Sequence, residues 1–353
     1  MSARATNPAL ETLFLPFSAG DLTLPNTDRV LFLGARDGVW QHPASRDRWV
    51  CVQSFKPFAD ELTRAGLQVA KPAADEKFPL VLVLPPRQRD ESRAVLARAL
   101  AHVAPGGIVV ACVANHAGAR SSEADLARLA GPVQTLSKHH CRVFWAVSSE
   151  ASAIDQALLA EWLVLDAVRP IADGRYVSRP GLFAWDRIDP ASALLVSQLP
   201  ATLSGRVADL GAGYGYLAAQ IVPRCVRVSA IDLYEAEARA LDPARINMRS
   251  ATIDRGDDVS IDVIWHDVTT GIPYKYDAIV SNPPFHQGRE DQPELGRAFI
   301  VAAANALLPT GQFWMVANRH LAYEETLARH FRNVREVIVQ DGFKVVCARE
   351  PRR

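Results

Sequence analysis

The sequence predicts an α/β protein with two domains, each built on a mostly parallel, doubly wound sheet. Three observations support this fold class. The chain has 353 residues, which suits two domains of ordinary size better than one. Short β-branched runs alternate with stretches that carry apolar residues at helical spacing. The same order of sequence blocks also occurs twice along the chain.

The repeat consists of five pairs of blocks, each displaced by roughly 180 to 200 positions. The pairs are 29–38 (RVLFLGARDG) with 206–215 (RVADLGAGYG), 82–86 (LVLPP) with 280–284 (VSNPP), 105–107 with 309–311, 113–115 with 316–318, and 141–144 with 343–346. Five matches in one order are hard to obtain by chance. We therefore place the two domains at residues 1–170 and 171–353.

Each half alternates strand-like and helix-like segments. Residues 108–110 and 278–280 are apolar, β-branched runs of the kind that form strands buried on both faces. Residues 91–103 and 295–308 carry apolar side chains at helical spacing, which predicts helices. Residues 154–165 form a further helical segment that ends before a proline. We interpret it as a connector whose apolar face packs between the two halves.

The composition is that of a globular protein of the cytoplasm. Apolar residues make up 49% and charged residues 22%, and Lys+Arg and Asp+Glu both total 39. The net charge of zero lacks the basic footprint that phosphate contacts usually leave, which argues mildly against a polyanion-binding protein. The five cysteines are scattered, so no metal or disulfide framework is expected. No apolar run is long enough to predict a membrane span or a signal peptide.

A glycine-rich turn in the second half is the first candidate site. Gly211, Ala212 and Gly213 follow a strand-like run and precede a helix-like one, and glycine lets the backbone approach a ligand closely. Such a turn alone also suits nicotinamide enzymes and plain strand-to-helix connections. Asp209 precedes Gly211 by two residues, and a carboxylate at that point favours an amino-acid ammonium group over a pyrophosphate.

Two further acids follow the next two predicted strands. Asp232 ends the run SAID, where doubly wound folds hold a ribose diol, and Leu233 beside it offers an apolar face for adenine. Asp267 ends the run VIWHD and is able to accept a hydrogen bond from an adenine amine. One acid at a strand end is usually a helix cap. Three acids at three successive strand ends predict a nucleoside site.

The most specific motif is the turn at residues 276–285 (YDAIVSNPPF). Pro283 and Pro284 cannot continue a strand ladder, so the strand stops at Asn282 and the turn is stiff. The Asn282 amide oxygen and the Pro283 carbonyl are two acceptors aimed at one amine. An amine on a nucleobase is conjugated with the ring, and accepting both its hydrogens favours a tetrahedral, nucleophilic nitrogen. Phe285 offers a ring on which a flipped-out base can stack.

These motifs resemble those of class I S-adenosylmethionine-dependent methyltransferases and, within them, the small methyltransferase family. The whole chain resembles the two-domain bacterial rRNA guanine-N2 methyltransferases, through the NPPF turn with His286, the segment 178–183 (SRPGLF) and the late run 343–345 (FKV). The resemblance implies two tandem Rossmann-like methyltransferase domains. It also implies S-adenosylmethionine as the cofactor.

The resemblance assigns a role to each candidate residue. The implied cofactor-binding residues are Asp209, Gly211, Ala212, Gly213, Asp232, Leu233, Asp267 and Asn282. The implied catalytic residues are Asn282, Pro283, Pro284 and Phe285. The implied substrate-binding residues are Phe285, Phe183 and Lys344. The implied reaction is methylation of the exocyclic N2 amine of a guanine in ribosomal RNA, most closely the 16S rRNA of the small subunit. The expected partner is ribosomal RNA or a ribosomal subunit, with a monomeric chain, no membrane and no metal.

The first half lacks the residues that this chemistry needs. Phe32 stands where the second half has Asp209, and Arg36 stands where it has Gly213. Leu84, which has no side-chain acceptor, corresponds to Asn282, and Arg87 corresponds to Phe285. The residues that form turns are retained. We therefore expect a degenerate first domain that supports the catalytic half and helps to engage RNA, as in the family it resembles.

Other readings of the site remain open at this point. The same cofactor could serve a 23S rRNA guanine, an adenine N6 amine or a glutamine N5 amide. Enzymes of the last two kinds more often carry tyrosine after the two prolines and lack a silent duplicate. A different class of protein is a non-catalytic RNA-binding assembly factor on a methyltransferase fold. The intact set of Asp209, Asp232 and Asn282 speaks against that class.

Overall fold

The computed structural model describes residues 7–26, 28–38, 43–148, 154–253, 255, 258–284, 286–287, 290–291 and 293–352. The chain divides into two compact units, Met1–Ala167 and Val168–Arg353. The division lies three residues before the boundary expected from the repeat.

In the described part of the first unit, seven strands form one sheet in the order β3-β2-β1-β4-β5-β7-β6. Its elements are α1 Pro8–Leu13, α2 Leu15–Ala19, β1 Val30–Leu33, β2 Trp49–Val52, α3 Lys56–Arg64, β3 Gln68–Val69, β4 Phe78–Val83, α4 Arg89–His102, β5 Val103–Ala114, α5 Ala119–Ala130, β6 Gln134–Lys138, β7 Cys141–Val147 and α6 Gln156–Leu163. The first five strands in this order run parallel, and β7 and β6 pair antiparallel at one edge.

The described part of the second unit has the same sheet order, β12-β11-β10-β13-β16-β18-β17. Its elements are β8 Arg169–Ile171, β9 Tyr176–Ser178, α7 Pro190–Gln198, β10 Ser204–Leu210, α8 Tyr216–Arg224, β11 Arg227–Glu235, α9 Leu241–Thr252, β12 Ser260–Trp265, β13 Tyr276–Ser281, β14 His286–Gln287, β15 Glu290–Asp291, α10 Pro293–Ala306, β16 Leu307–Asn318, α11 Glu324–His330, β17 Phe331–Gln340 and β18 Phe343–Pro351. The predicted fold class, two tandem and mostly parallel doubly wound sheets, is confirmed.

The second sheet is covered by helices on both faces, because alternate residues of its central strands point to opposite sides. Val207 of β10 packs with residues of α7, α8 and α9. Ala208 and Leu210 of the same strand pack on the other face with residues of α10 and α11. The hairpin at the sheet edge is closed by Asp341 and Gly342, both with positive φ (51° and 82°), as hairpin turns of the I′ type require. This architecture brings the carboxyl ends of β10, β11, β12 and β13 to one edge.

Helix α6 falls in the segment that the sequence pattern marked as a connector. Its Leu159 and Trp162 are buried in the core that α4 and α5 form on the first sheet. The expectation that this apolar face packs between the two halves is therefore wrong. The face completes the core of the first unit, where Trp162 is 1% exposed.

Candidate active site

The glycine-rich turn joins β10 to α8 at the carboxyl edge of the second sheet. Gly211 and Gly213 have φ of 73° and 55°, a region that side chains with a Cβ rarely adopt. The amides of Gly211 and Ala212 both donate to the Tyr234 carbonyl, at 2.9 and 3.1 Å, which fixes the turn against β11. A Cβ built on Gly213 would meet no atom within 4 Å. The backbone at Gly213 therefore borders open space that a ligand could occupy.

Asp209 is fully buried at the end of β10, beneath this turn. Its Oδ2 accepts a hydrogen bond from the Ala218 amide in the first turn of α8, at 3.1 Å. Within the described residues its Oδ1 is buried without a hydrogen-bond partner. Burial, together with repulsion from Glu235, raises the pKa of Asp209 to about 7. A carboxyl group in this state gains most from a nearby cation, because a cation stabilises its charged form.

Glu235, rather than Asp232, lies at the carboxyl edge of β11. The strand runs three residues beyond Asp232, and its register places Leu210 opposite Tyr234, so that Glu235 lies level with the glycine-rich turn. The Glu235 Oε2 accepts from the Gly213 amide at 2.7 Å, and burial raises the pKa of this carboxyl. The prediction from sequence ended this strand at Asp232, three residues too early, and therefore missed Glu235. A strand β11 that reaches as far as the end of β10 would have identified Glu235.

Asp232 and Leu233 occupy the interior of the sheet. Asp232 is paired with Ala208, two residues short of the edge. Its Oδ2 accepts from the Arg206 guanidinium at 2.7 Å and from the Tyr276 hydroxyl at 2.6 Å, and the residue is 1% exposed. Leu233 is fully buried in the core. The structure contradicts the expected placement of both residues, since a ribose or adenine at the strand ends would not reach them.

Asp267 follows β12 at the same edge, as expected. Its Oδ1 accepts from the Thr269 amide at 2.9 Å and from the Thr269 hydroxyl at 2.7 Å, so it caps a short 3-10 helix, Val268–Thr270. Among the described residues, its Oδ2 makes no hydrogen bond. The half-buried side chain is therefore a cap that still offers one acceptor oxygen at the edge.

Asn282 follows β13, whose end is tied to β10 by a 2.7 Å hydrogen bond from the Ser281 hydroxyl to the Leu210 carbonyl. The Asn282 Nδ2 donates to Asp189 Oδ2 at 2.8 Å and to Ser192 Oγ at 2.9 Å. In the described part of the chain its Oδ1 is buried and accepts no hydrogen bond. The amide thus presents a single unsatisfied acceptor.

The proline turn lies against the glycine-rich turn. Pro283 is buried and Pro284 is exposed. The Pro284 Cδ lies 3.8 Å from the position that a Cβ on Gly211 would take. The two sequence motifs, separated by about 70 residues, therefore meet at one point of the sheet edge. Phe285, which was expected to stack on the base, lies outside the described residues, as does the side chain of His286.

The segment between β9 and α7 carries Phe183, a residue that is 62% exposed. The segment is tethered at two points next to the site. Arg239, in the turn that follows β11, donates to the Pro180 carbonyl at 2.5 Å, and the Tyr214 hydroxyl of the glycine-rich turn donates to the Arg187 carbonyl at 3.1 Å. The segment that carries this exposed aromatic residue is thereby anchored to the loops that follow β10 and β11.

Lys344 does not face the site. It is 3% exposed, and its ammonium group donates to the Leu321 carbonyl at 2.7 Å and to the Glu324 carboxylate. These bonds tie β18 to the start of α11. The expectation that Lys344 contacts the substrate is contradicted, because the charged group is buried and committed to partners within its own unit.

The first unit shows what the same edge looks like without these groups. Phe32 of β1 is fully buried in the core where β10 has Asp209. The Arg36 guanidinium lies 3.2 Å above the Phe58 ring and occupies the place that the repeat gives to Gly213. Leu84 follows β4 as Asn282 follows β13. None of the side chains of these residues offers an acceptor for an amine.

Two further findings concern the described residues as a whole. None of their helices has the length and apolar character needed to traverse a lipid bilayer. They also contain no group of three or more His, Cys, Asp or Glu side chains arranged to hold a metal ion.

The known proteins to which this chain is similar are methyltransferases, which agrees with the geometry of the site. The model of the methyltransferase small domain matches residues 173–347. A ribosomal RNA small subunit methyltransferase C from Pseudomonas aeruginosa is 33% identical over 266 residues, 75% of this chain and 77% of that protein. Its counterpart in Psychromonas ingrahamii is 29% identical over 84% of both chains. A solved structure, T. thermophilus 16S rRNA N2 G1207 methyltransferase with AdoMet and guanosine, covers 99% of this chain and 94% of its own at a TM-score of 0.78 and 22% identity.

The fold and the site define a class I S-adenosylmethionine-dependent methyltransferase. The sheet order, the glycine-rich turn and the Asn-Pro-Pro turn occur together in the second unit, within the match to the methyltransferase small domain. The chain belongs to the ribosomal RNA small subunit methyltransferase C family.

Proposed function

We propose that the second unit transfers a methyl group from S-adenosylmethionine to the exocyclic N2 amine of a guanine in 16S ribosomal RNA, leaving S-adenosylhomocysteine and releasing one proton of the amine to water. The observation that carries the proposal is the buried Oδ1 of Asn282 at the carboxyl edge of the sheet, which accepts no hydrogen bond from any residue that the structure describes. The names of the relatives point to small-subunit rRNA, and the similar T. thermophilus enzyme is described as an N2 G1207 methyltransferase in complex with guanosine.

The residues at the edge fit the proposed cofactor. S-adenosylmethionine supplies an electrophilic methyl group on a sulfonium centre. The Oδ1 of Asp209, which has no partner among the described residues, would accept a hydrogen bond from the ammonium group, and the Glu235 carboxylate would accept from the ribose hydroxyls. The second oxygen of Asp267 would accept from the adenine amine. The open space at Gly213 lets the ligand approach the backbone of residues 211–213 without a side chain in the way.

Asn282 and Pro283 prepare the target amine. The guanine N2 lone pair is delocalised into the ring, so the nitrogen is a weak nucleophile. The Asn282 Oδ1 and the Pro283 carbonyl accept hydrogen bonds from the two N–H groups of this amine. This arrangement favours a tetrahedral nitrogen whose lone pair points at the methyl group. This contact is strongest in the transition state, where charge develops on the nitrogen, and it therefore raises the rate more than the affinity. Phe285 and the exposed Phe183 stack on the base.

The first unit has a supporting role in this proposal. Its edge lacks the acid, the glycine and the amide acceptor, since Phe32, Arg36 and Leu84 stand in their places. It binds no cofactor and helps the second unit to engage ribosomal RNA or a ribosomal subunit. The proposed division of labour is a degenerate domain over residues 1–170 and a catalytic domain over residues 171–353.

The test compares Asn282→Ala with the parent protein in single-turnover methyl transfer to small subunits from a strain that lacks the modification. Losing one preorganised acceptor is expected to lower the rate by roughly 10²–10³, with little change in cofactor affinity. Asn305→Ala, at an exposed position of α10, is the matched control and should keep the parent rate. Nuclease digestion and mass spectrometry should identify N2-methylguanosine. A near-parent rate in Asn282→Ala, or methylation of another atom, would contradict the proposal.

A further inference from the structure

The amide nitrogen of Asn282 is held by two side chains from the start of helix α7. Both of its hydrogens are used, one by Asp189 Oδ2 at 2.8 Å and one by Ser192 Oγ at 2.9 Å. These residues lie about 90 positions before Asn282 in the sequence. We infer that Asp189 and Ser192 are positioning residues, which act on the reaction by fixing the Asn282 amide with its oxygen toward the substrate amine. The inference rests on the proposed function, because it assigns Asn282 the role of amine acceptor.

The chemistry of Asp189 determines which end of the amide it binds. An ionised carboxylate is an acceptor only, so it pairs with the Nδ2 group and repels the Oδ1 atom. A reversed amide would place its oxygen against this carboxylate and its NH2 group toward the substrate amine, which is itself a donor. The arrangement with Oδ1 free is therefore the one that Asp189 stabilises.

Asp189 is itself held by the helix that it begins. Its Oδ2 also accepts from the Ser192 amide at 2.8 Å, which makes it the N-cap of α7. Pro190 follows at the first helical position, where its fixed φ favours the start of a helix. Leu195 anchors α7 in the core on the sheet face that carries Asp209. One carboxylate oxygen thus links the backbone of a packed helix to the amide of Asn282.

A fixed amide is useful because the acceptor must be in place before the nitrogen becomes tetrahedral. A side chain that rotated freely would spend part of its time with the NH2 group forward and would have to reorganise during the reaction. Hydrogen bonds to the carboxylate also polarise the amide and make its oxygen a better acceptor. Both effects act on the rate of methyl transfer and leave the cofactor pocket unchanged.

The clean perturbation is Ser192→Ala, because it removes one acceptor from Asn282 and leaves the backbone cap with Asp189 in place. We expect the rate constant of single-turnover methyl transfer at saturating small subunit to fall by about 5- to 20-fold. Steady-state KM for the small subunit and Kd for S-adenosylmethionine should be unchanged. Ser197→Ala, an exposed serine of the same helix, is the control and should keep the parent rate. In an Asn282→Ala background, Ser192→Ala should have no further effect, because the two residues act through one contact.

Asp189 is tested by two substitutions. In Asp189→Asn the Ser192 amide still selects the side-chain oxygen at position 189, and that oxygen can cap the helix and accept from Asn282. This variant should therefore retain most of the rate. Asp189→Ala removes both bonds and should lower kcat by about 100-fold, since small misplacements of catalytic groups have effects of that size. Thermal melts of both variants show how much of any loss comes from an unfolded fraction.

The outcomes separate the inference from the proposed function. If Asn282→Ala is inactive and Ser192→Ala keeps the parent kcat, the positioning role is refuted while the proposed function stands. A Ser192→Ala effect of the same size in the Asn282→Ala background would also refute it, because the serine would then act elsewhere. If Asn282→Ala itself keeps the parent rate, the proposed function fails first.

Discussion

Cofactor affinity should depend on pH through Asp209. The carboxyl is fully buried, one of its oxygens has no hydrogen-bond partner in the described part of the chain, and its pKa is raised to about 7. The free protein therefore holds this group largely neutral below pH 7, while a cationic ligand favours the charged form. Binding below pH 7 then requires loss of a proton, and affinity rises with pH. The protonated fraction falls from about 97% at pH 5.5 to about 50% at pH 7.0, which predicts an increase in affinity of about 16-fold for a pKa of about 7.

Isothermal titration calorimetry with S-adenosylmethionine between pH 5.5 and 7.0 measures this dependence. The range stays below the pKa of the cofactor ammonium group, about 7.7–8.0 for an α-amino group. Two buffers of different ionisation enthalpy should also report proton release. Asp209→Asn should remove the part of the dependence that Asp209 causes and leave only the part that comes from the raised pKa of Glu235. Glu235→Gln should shift the dependence to lower pH, because repulsion from Glu235 contributes to the raised pKa of Asp209. Parent affinity that is constant over this range, or a dependence in Asp209→Asn as large as in the parent, would refute the reasoning.

Five further outcomes are expected. Asp209→Asn should increase the free energy of unfolding of the free protein at pH 7 by roughly 2–4 kcal/mol in denaturant melts. The raised pKa of buried Asp209 means that the parent protein loses stability as pH rises from about 4 to 7, and asparagine does not ionise. Glu235→Gln should weaken cofactor binding by about 1.5–3 kcal/mol in calorimetry, whereas Asp232→Ala should leave it unchanged and lower the free energy of unfolding by about 3 kcal/mol. Lys344→Met should change the thermal midpoint and not the single-turnover rate, since its partners lie within the fold. Calorimetric stoichiometry should be one cofactor per chain; a value of two would contradict a silent first unit.

The repeat in the sequence carried most of the information about the fold. Strands β4 and β13 are both six residues long with the same order of buried positions, and β5 and β16 are both twelve residues long with identical patterns. Both faces of these parallel strands are covered, so their side chains must be apolar at successive positions, and this leaves a recognisable pattern in the sequence. The order of elements and the fold class could therefore be predicted from local patterns.

The candidate site could be predicted only where local sequence determines geometry. The glycine-rich turn and the Asn-Pro-Pro turn lie where they were expected because glycine and proline restrict the backbone directly. Asp232 was predicted and Glu235 was missed because the length of β11 depends on its pairing with β10, which the local sequence does not reveal. Lys344 was assigned to the substrate through the family resemblance alone. Its burial depends on contacts with Leu321 and Glu324, about 20 residues earlier, which the local sequence does not reveal.

The glycines of the two units separate what the fold requires from what the ligand requires. A Cβ on Gly34 would lie 2.6 Å from the Leu84 carbonyl, and one on Gly107 would lie 2.9 Å from two carbonyl oxygens. Both glycines are needed for packing, and the second unit has glycine at the equivalent positions. A Cβ on Gly213 would meet no atom within 4 Å, so no neighbouring protein atom excludes a side chain there, and the first unit carries Arg36 at that position. The first unit thus retains glycine where backbone packing demands it. The glycine that it lacks is the one at which the second unit combines a positive φ with open space beside the backbone.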